Sequence, residues 1–281
     1  MKIKKVTVIV LNYNSSDDCK KCIDFLEMQD YKALSIVVVD NASTNSNEKK
    51  HLQEICEGKD IQLVFNQENK GFSAGNNIGL RMALKDGAEW MLVINPDVEL
   101  RDPHYISYVM EQIVKWSQAV VVGTNVLLPS GECQNPMDEL TELEECLSIF
   151  DPFLRKFKFM NRKRVMQTGY CKKVFGCCFF IKASFLEKIN CLDENVFMYC
   201  EEAILAKQVE KANYKEVFIK EVTAYHEHYD CQKVGNSSKR LQEYFKSRIY
   251  YIENYSDYSF LGKKLAILER KIESVLWKVL F

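Results

Sequence analysis

Short, fully apolar runs alternate with amphipathic segments through the first 115 residues, and this alternation limits the fold more than any other feature. The apolar runs predict strands at residues 6–11, 34–39, 61–65 and 90–94. The segments that follow them predict helices at residues 17–28, 48–56, 74–84 and 103–115. Strands without a polar face are covered on both sides, and strand–helix–strand repeats form right-handed crossovers. The expected fold class is therefore α/β, with an open and mostly parallel central sheet.

The pattern is less regular after residue 122. It predicts a hairpin at 124–133, a buried strand at 173–181, a helix at 201–212 and short strands at 216–219 and 222–225. Residues 138–164 are Phe-rich and then basic, and they fit a mobile loop or a helical insert. From residue 239 onward the chain is mostly helical. We therefore expect an α/β domain at residues 1–235 and a C-terminal helical extension at residues 236–281.

The charge balance and the cysteines narrow the class of protein. Among 281 residues, 38 Lys and Arg offset 39 Asp and Glu, so no basic field favours nucleic acid as a partner. No apolar run approaches the roughly twenty residues that span a bilayer, and residues 6–11 are too few for a signal-peptide core. Eleven irregularly spaced cysteines predict reduced thiols, and the lone CxxC at Cys19 and Cys22 predicts helix packing. These features predict a cytoplasmic protein.

A polar cluster follows each of the first four predicted strands. The clusters are Asn12-Tyr13-Asn14, Asp40-Asn41-Ala42-Ser43, Asn66 with Asn69-Lys70-Gly71, and Asn95-Pro96-Asp97. Ligands of open α/β sheets bind outside the carboxyl ends of the strands. Four clusters along one edge predict a nucleotide-sized site, whereas ordinary turns and helix caps are the alternative.

Asp97 is the strongest candidate for a metal ligand. It follows a predicted strand directly and stands behind Pro96, whose ring fixes the backbone. A carboxylate in this position suits Mg²⁺ or Mn²⁺, which take oxygen ligands and share them with phosphates. A capping Asp is the alternative.

Gly71, Gly75 and Gly79 recur every four residues, which lets the helix backbone approach another element or a ligand closely. Close packing is an equal reading of this spacing. Neither a GxGxxG fingerprint nor a GxxxxGK[ST] loop occurs in the sequence, so dinucleotide and P-loop sites lose their support.

Glu201 and Glu202 are candidates for a catalytic base, because adjacent carboxylates raise each other's proton affinity. Acidic residues are also favoured at a helix start for electrostatic reasons, which is the alternative. His226 and His228 alternate at the end of a predicted strand and could point the same way, towards a metal or a diphosphate. A pair of surface histidines is the alternative there.

Six segments carry a resemblance to a known family: TVIVLNYN, VVVDNAST, NKGFSAGNNIG, INPDVEL, FGCCFFI and MYCEEAIL, in that order. Together they resemble the inverting, GT-A-fold glycosyltransferases of family 2, and within it the rhamnosyltransferase-like branch. The match runs from about residue 6 to about residue 251. It implies a Rossmann-like GT-A domain that uses Mn²⁺ or Mg²⁺ and moves a sugar from a nucleotide-diphosphate donor to an acceptor hydroxyl.

The resemblance also implies roles for single residues. Asp40 would accept a hydrogen bond from a pyrimidine ring, Asp97 would bind the metal within a DxD-like motif, and Glu202 would be the base. His226 would touch the metal, and Arg248 would approach the diphosphate. With the polar strand ends, the expected donor-binding residues are Asn12, Asn14, Asp40, Asn69, Gly71, Asn76, Asn77, Asn95 and Arg248.

Three positions depart from the family's pattern. Asn95 replaces the first acidic residue of the commonest metal motif and adds no charge to the metal site. Ile204 and Lys207 stand where the family usually has an Asp and an Arg. These departures leave the local support of the base open.

The last helix carries a stripe of apolar residues: Leu261, Leu265, Leu268, Ile272, Val275 and Val279. Lysines and arginines lie elsewhere on the same helix. The pattern fits packing on the chain's own domain, a homodimer seam, or peripheral contact with the inner face of the cell membrane.

We therefore expect an inverting glycosyltransferase that acts in cell-surface polysaccharide assembly. By resemblance the donor is dTDP-rhamnose, or next a UDP-hexose, and the acceptor is a glycan or a lipid-linked intermediate. Two alternatives remain at this point. They are a sugar-phosphate nucleotidyltransferase, and a non-catalytic sugar-nucleotide-binding protein on the same fold.

Overall fold

The computed structural model describes residues 3–147, 167–227 and 238–280, with side chains for all of these except 238 and 278–280. The strands are β1 (Val6–Asn12), β2 (Leu34–Asp40), β3 (Ile61–Phe65), β4 (Trp90–Ile94), β5 (Val98–Glu99), β6 (Ala119–Leu127), β7 (Gly169–Cys171), β8 (Cys178–Lys182) and β9 (Lys215–His226). The helices are α1 (Ser16–Glu27), α2 (Glu48–Cys56), α3 (Phe72–Lys85), α4 (Tyr105–Ile113), α5 (Glu142–Cys146), α6 (Ala183–Lys188), α7 (Glu201–Lys211), α8 (Ser238–Asn254) and α9 (Phe260–Leu280).

The strands form one sheet in the order β3-β2-β1-β4-β8-β6-β9-β5, and β7 pairs with β9 beside this path. The first four strands in this order are parallel to one another. β8 runs antiparallel to both β4 and β6, whereas β6 and β9 are parallel. The predicted α/β fold, with parallel strands in the central sheet and helices at the C-terminal end, is confirmed.

Helices cover both faces of the sheet. Val8 and Val10 of β1 pack with α1, α2 and α4 on one face. Ile9 packs with α3 and α6 on the other face. Each strand position is therefore buried, which explains why the strand is apolar without alternation.

The second half differs from its prediction in three places. The expected hairpin at 124–133 is present as a short one, with a turn at residues 128–131 and an antiparallel bridge from Leu127 to Cys133, but its first strand, β6, begins earlier, at Ala119. The strand expected from residue 173 begins at Cys178, because side chains bind the preceding backbone N–H groups. The two short strands form one strand, β9, whose register with β6 shifts after Thr124.

The segment at residues 138–164 is described only up to residue 147. Its described part contains a short helix, α5, which begins after a capping box formed by Thr141 and Glu144. The rest of the predicted loop or insert, and His228, lie outside the described residues.

The C-terminal helices pack on α7 through a separate apolar cluster: Val196, Ala203, Ile204, Tyr251, Ile252 and Ala266. A buried ion pair reinforces this contact. Glu145 of α5 is fully buried, and its carboxylate accepts a hydrogen bond from Nε of Arg248 in α8 at 2.9 Å. Arg270 of α9 donates to the backbone carbonyl of Glu145 at 3.4 Å. The predicted division at residue 235 is not tested by this arrangement and stays a prediction.

The apolar stripe of α9 is largely exposed along its described side chains. Leu261, Leu268 and Val275 are 65%, 55% and 58% exposed. Within the described residues, no helix is long and apolar enough to cross a membrane.

Candidate active site

The carboxyl ends of the parallel strands meet at one edge of the sheet, and the predicted polar residues lie along it. Asn12 and Asp40 are direct partners in the β1–β2 register. β4 pairs antiparallel with β8, so the end of β4 meets the start of β8, where the N–H of Asn95 donates to the Cys177 carbonyl at 2.8 Å. Residues from four strands therefore border one edge, as ligand sites of such sheets require.

Asp40 and Asn12 form the centre of a buried hydrogen-bond network. The Asn12 amide donates to Asp40 Oδ1 at 3.1 Å and to Glu48 Oε1 at 3.0 Å. The second Asp40 oxygen accepts the N–H of Ser43 at 3.2 Å, and Glu48 accepts the N–H of Ser16 at 2.6 Å. Asp40 and Asn12 are fully buried, so the network fixes β1, β2 and α1 relative to one another. The expected hydrogen bond from a pyrimidine to Asp40 stays a prediction.

Asn14 joins the loop after β1 to the loop after β2. Its Oδ1 accepts the N–H groups of Thr44 and Asn45, each at 2.9 Å. Side chains from these loops and the adjoining helices line a polar pocket of about 260 Å³: Asn14, Ser15, Ser16, Asp17, Asp18, Asn45, Asn47, Glu48 and His51. The lining consists of hydrogen-bonding groups of the kind that a nucleoside requires.

Asn69 and Gly71 shape the turn into α3. Asn69 Oδ1 accepts the N–H of Gly71 and the amide of Asn41, each at 3.0 Å. Gly71 has a φ of 101°, and a β-carbon there would collide with the carbonyl oxygen of Phe197, which accepts the N–H of Phe72 at 2.9 Å. Both the backbone conformation and the close approach of Phe197 therefore require glycine at this turn.

The other two glycines of the series bring α3 close to the sheet. A β-carbon on Gly75 would lie 2.7 Å from Leu11 Cδ1, and one on Gly79 would lie 2.7 Å from Ile9 Cγ2. Close packing against β1, one of the two readings of the spacing, is therefore observed.

Asn76 and Asn77 follow on the same helix, and both are fully buried. Asn77 donates to the Leu192 carbonyl and to Glu194 Oε1, each at 2.8 Å, and accepts the Leu192 N–H at 3.0 Å. Asn76 donates to the carbonyl of Phe72 at 3.0 Å. The structure thus gives Asn77 protein partners in the segment before α7, and the donor contacts of both residues stay predictions.

The same segment, residues 192–197, is held from its other side by α8 and by Tyr255, the residue that follows it. Asp193 accepts the hydroxyl of Tyr250 at 2.9 Å and the hydroxyl of Tyr255 at 2.5 Å. These bonds hold the pKa of Asp193 below its ordinary value, against the opposing effect of burial. We call residues 192–197 the bridging segment, because it contacts α3 on one side and the C-terminal helices on the other.

Asp97 and His226 lie together at the predicted metal position. His226 Nε2 is 3.3 Å from Asp97 Oδ2, and the N–H of Glu227 donates to the Asp97 carbonyl at 2.8 Å. On the other side of the ring, His226 Nδ1 lies 2.7 Å from Gln134 Oε1. If Nδ1 donates to this amide oxygen, Nε2 presents its lone pair on the side of Asp97, as a metal ligand must.

These residues fit a divalent cation that is completed by a substrate. Within the described part of the chain, no group of three or more His, Cys, Asp and Glu side chains is placed to hold a metal. One carboxylate and one imidazole instead form a partial site, and Mg²⁺ and Mn²⁺ sites of this kind take further ligands from phosphates and water. Asn95, two residues before Asp97, donates its backbone N–H to β8.

The acidic pair opens α7 next to this position. Tyr199 and Cys200 both adopt left-handed conformations, with φ of 74° and 68°, and turn the chain sharply into the helix. Glu202 Oε1 accepts the N–H of Gly176 at 3.1 Å. The next residue, Cys177, accepts the N–H of Asn95 with its carbonyl. The predicted base and the loop that carries the predicted metal ligand Asp97 are therefore bound by consecutive residues.

The surroundings of Glu201 favour its protonated form. Burial, and next the neighbouring charge of Glu202, raise the pKa of Glu201 to about 8. A carboxyl with such a pKa is mostly protonated at pH 7, so only a minor fraction of it is in the form that accepts a proton. Glu201 is therefore the weaker candidate for the base.

Three consecutive backbone N–H groups before β8 are each bound by a side chain from a different part of the chain. The N–H of Val174 donates to Glu216 Oε2 at 2.9 Å, and the N–H of Phe175 donates to Asn135 Oδ1 at 2.7 Å. Glu202 binds the third, Gly176. We call residues 174–176 the base-holding segment, after the role that was predicted for Glu202. It places Glu202, because a β-carbon on Gly176 would lie only 2.9 Å from Glu202 Oε1.

A small cavity of about 20 Å³ lies beside the acidic pair, and its polar lining consists mainly of Glu201, Glu202, Gln208 and Glu216. Glu216 is almost fully buried, and burial raises its pKa to about 8. Apolar side chains, including Phe72 and Phe179, complete the wall.

Ile204 and Lys207 connect α7 to the C-terminal helices. Ile204 lies in the apolar cluster with Tyr251 and Ile252. Lys207 Nζ donates to Asp257 at 2.8 Å and to Glu210 at 2.7 Å, and these partners raise its pKa against the effect of burial. The two departures from the family pattern thus have packing partners in this chain.

Arg248 also lies within this helical layer. Its guanidinium pairs with buried Glu145 and stacks over the ring of Tyr251 at 4.9 Å. The pair with Glu145 raises the pKa of Arg248, and the contact with a donor diphosphate stays a prediction.

The sequence did not single out Gln134, Asn135, Gly176 or Glu216 as site residues. Each acts through a neighbour: Gln134 contacts His226, and the other three hold or border the base-holding segment. Of these four residues, only Gly176 could have been found from the sequence, because it lies in the FGCCFFI segment that carries the family resemblance.

Known structures of similar fold identify the class. The mannosyltransferase PcManGT from Pyrobaculum calidifontis, in complex with GDP-Man and Mn²⁺, has a TM-score of 0.64 and 16% identity, covering 95% of this chain and 68% of that chain. GalNAc-T7 with UDP, GalNAc and Mn²⁺ has a TM-score of 0.66 and 15% identity, covering 94% of this chain and 54% of that one. The fold is that of the GT-A glycosyltransferases.

Sequence comparison gives the family. Residues 7–189 match the family Glycosyl transferase family 2, and the chain belongs to this family. One relative, the low-salt glycan biosynthesis hexosyltransferase Agl10 of Haloferax volcanii, is 27% identical over 86% of this chain and 74% of its own. The N-acetylglucosaminyl-diphospho-decaprenol L-rhamnosyltransferase of Mycobacterium tuberculosis is 20% identical over 78% of this chain and 75% of its own.

Proposed function

We propose that the protein is an inverting, metal-dependent hexosyltransferase that moves a sugar from a nucleotide-diphosphate donor to an acceptor hydroxyl. The observation that carries this proposal is that two consecutive residues bind the loop of the proposed metal ligand and the proposed base. Cys177 binds the loop that bears Asp97, and Gly176 binds Glu202. A leaving-group site and a base site on either side of one reacting centre are what such a transfer needs.

Asp97 and His226 would hold the divalent cation, Mn²⁺ or Mg²⁺, together with the donor's diphosphate. A bound cation supplies Lewis acidity to the leaving diphosphate. Gln134 keeps the His226 ring oriented, and the backbone bond from Glu227 keeps the Asp97 loop in place. Mn²⁺ is present in the two GT-A structures described above, which supports a divalent cation without identifying it.

Glu202 is the proposed base. It takes the proton of the acceptor hydroxyl as that oxygen attacks the anomeric carbon from the face opposite the diphosphate, so the configuration inverts. The nucleoside diphosphate leaves, and Glu202 ends the step carrying the proton.

We propose dTDP-rhamnose as the first donor to test and UDP-hexoses as the next. The named relatives act in glycan synthesis, and one of them is an L-rhamnosyltransferase named for a diphospho-decaprenol substrate. These names support a glycan or lipid-linked acceptor in cell-surface polysaccharide assembly. The polar pocket beside Asn14 and Asp40 is the proposed site of the nucleoside.

The test is a thermal-shift panel of nucleotide sugars with and without Mn²⁺, followed by product analysis with the best donor. A ligand that binds only the folded state at a hundred times its Kd adds about 2.7 kcal/mol of stability, which is readily measured. We expect one donor to stabilise the protein in a metal-dependent way and to release a nucleoside diphosphate. Release of pyrophosphate from a nucleoside triphosphate would identify a nucleotidyltransferase instead. Donor binding without sugar release across many acceptors would favour a binding protein.

A further inference from the structure

The exposed face of α9 is apolar and basic without exposed acidic residues. Leu261, Leu265, Leu268, Ile272 and Val275 follow one another at intervals of three and four residues, and each is between 44% and 65% exposed. This spacing places them on one stripe along the helix. Phe260, Leu276 and Trp277 are exposed at its two ends.

The charges of α9 are divided between its two faces. Its acidic residues face inward, since Glu269 and Glu273 pair with Arg270 at 2.6 and 2.7 Å. Among the described side chains of the helix, 260–277, the exposed ones are apolar or are Lys264 and Lys271. The chain as a whole has a net charge of −1, so this local excess of positive charge is a property of the face.

We propose that this face binds an anionic lipid bilayer, with α9 lying in the plane of the headgroups. An exposed apolar stripe bordered by lysines is the arrangement that inserts shallowly into a bilayer surface. The lysine stems lie along apolar surface while their ammonium groups reach anionic phosphates. Trp277 and Phe260 are aromatic residues of the kind that favour the headgroup region.

A second copy of this chain complements the face less well. A two-fold symmetric contact brings the same patch against itself. It would oppose Lys264 and Lys271 with another apolar and basic face, because the acidic residues of α9 are already paired inward. Anionic headgroups supply the missing negative charge.

The experiment is co-sedimentation of the full chain with vesicles of phosphatidylcholine alone and of phosphatidylcholine with about a third phosphatidylglycerol. We expect binding to the anionic vesicles that weakens at high salt, and little binding to the neutral ones. Because each lysine near an anionic surface contributes about 1 kcal/mol, Lys264→Gln and Lys271→Gln should each weaken partition roughly fivefold. The double variant Leu265→Ser with Leu268→Ser should abolish it.

Controls separate this face from the rest of the surface. Lys50→Gln on α2 and Val114→Ser after α4 change side chains that are also well exposed, and both variants should bind as the wild type does. All variants should keep the wild-type unfolding midpoint, since the altered groups face solvent.

The proposal is overturned if the full chain does not sediment with anionic vesicles, or if the Leu265/Leu268 variant binds them unchanged. A concentration-dependent dimer that the same variant dissociates, without lipid binding, would assign the face to a second copy. The assay needs no donor or acceptor, so its result is independent of the proposed transfer reaction.

Discussion

At the scale of single residues, the acidic pair offers a matched test of the base. Glu202→Gln should keep donor binding and lose roughly a hundredfold or more in kcat, because an amide cannot accept the acceptor's proton. Glu201→Gln should lose less than about tenfold, since a carboxyl with a pKa of about 8 already carries a proton at pH 7. Steady-state kinetics and donor titration on both variants measure the difference. Wild-type turnover in Glu202→Gln would remove Glu202 from the role.

Gln134 provides a second test at this scale. Gln134→Leu removes the group that contacts His226 Nδ1, and loss of such an orienting partner typically weakens metal affinity by about tenfold or more. A Mn²⁺ titration of donor-dependent stabilisation measures this change. Gln62→Leu, at a site that bonds Asp86 on the surface, is the matched control and should leave the titration unchanged. Equal Mn²⁺ affinity in both variants would contradict the orienting role.

The residue types at the strand ends could be read from the sequence, but their partners could not. Asp97, His226 and Glu202 were predicted from strand ends, a helix start and the family resemblance. Gln134 and Asn135 lie in an irregular loop between β6 and α5, and no periodicity marks such positions. Their importance comes from long-range contacts, such as the bond from Asn135 to Phe175, 40 residues away.

At the scale of elements, the base-holding segment should be intolerant of a single methyl group. Gly176→Ala places a β-carbon 2.9 Å from Glu202 Oε1, so the carboxylate must move. A displacement of about 1 Å in a reacting group can lower kcat by about a hundredfold, and we expect a loss of this order. Gly169→Ala is the control, because its β-carbon would have no neighbour closer than 4.0 Å. Unchanged kcat in Gly176→Ala would show that this contact does not place the base.

β9 contributes a titrating group that should make stability depend on pH. Burial raises the pKa of Glu216 to about 8, so the folded state holds a proton that the unfolded state has lost above about pH 4.5. Stability is therefore highest below pH 4.5 for this group and falls as the pH rises towards 8. Between pH 5.5 and 8 the expected loss is on the order of 2–3 kcal/mol.

Urea unfolding at several pH values tests this expectation. Glu216→Gln keeps an oxygen for the Val174 N–H but cannot ionise, so its free energy of unfolding should fall less steeply over the same range. Glu201 contributes with the same sign and should account for part of the slope that remains. An equal slope in the wild type and in Glu216→Gln would exclude Glu216 as a source.

The elements themselves divide into two groups by how well the sequence predicted them. β3, β4 and α2 occur at the predicted bounds, because continuous apolar runs and clear helical periodicity mark them. The starts of β6 and β8 were misplaced. β6 begins five residues before the predicted hairpin, and the start of β8 is set by side chains that occupy the preceding N–H groups. Local pattern cannot reveal a boundary that distant side chains determine.

At the scale of the whole molecule, the ion-pair network around Glu145 should dominate the attachment of the C-terminal helices. Glu145→Ala leaves the buried guanidinium of Arg248 without its carboxylate, and breaking a buried pair in this way costs about 3–5 kcal/mol. Asp24→Ala removes an exposed partner of Lys20 and should cost less than about 1 kcal/mol. Chemical denaturation of both variants measures the contrast. Equal losses would contradict the role given to Glu145.

The bridging segment has a consequence for how the two ends of the chain move. Asn77 of α3 binds Leu192 at its start, while Tyr250 of α8 and Tyr255, the residue after α8, bind Asp193. Because the segment is bound on both sides, we expect a displacement of α8 to be passed on to the turn at Gly71, where the N–H of Phe72 binds the Phe197 carbonyl. A surface or ligand that binds the last helices would then shift the start of α3 at the carboxyl edge of the sheet.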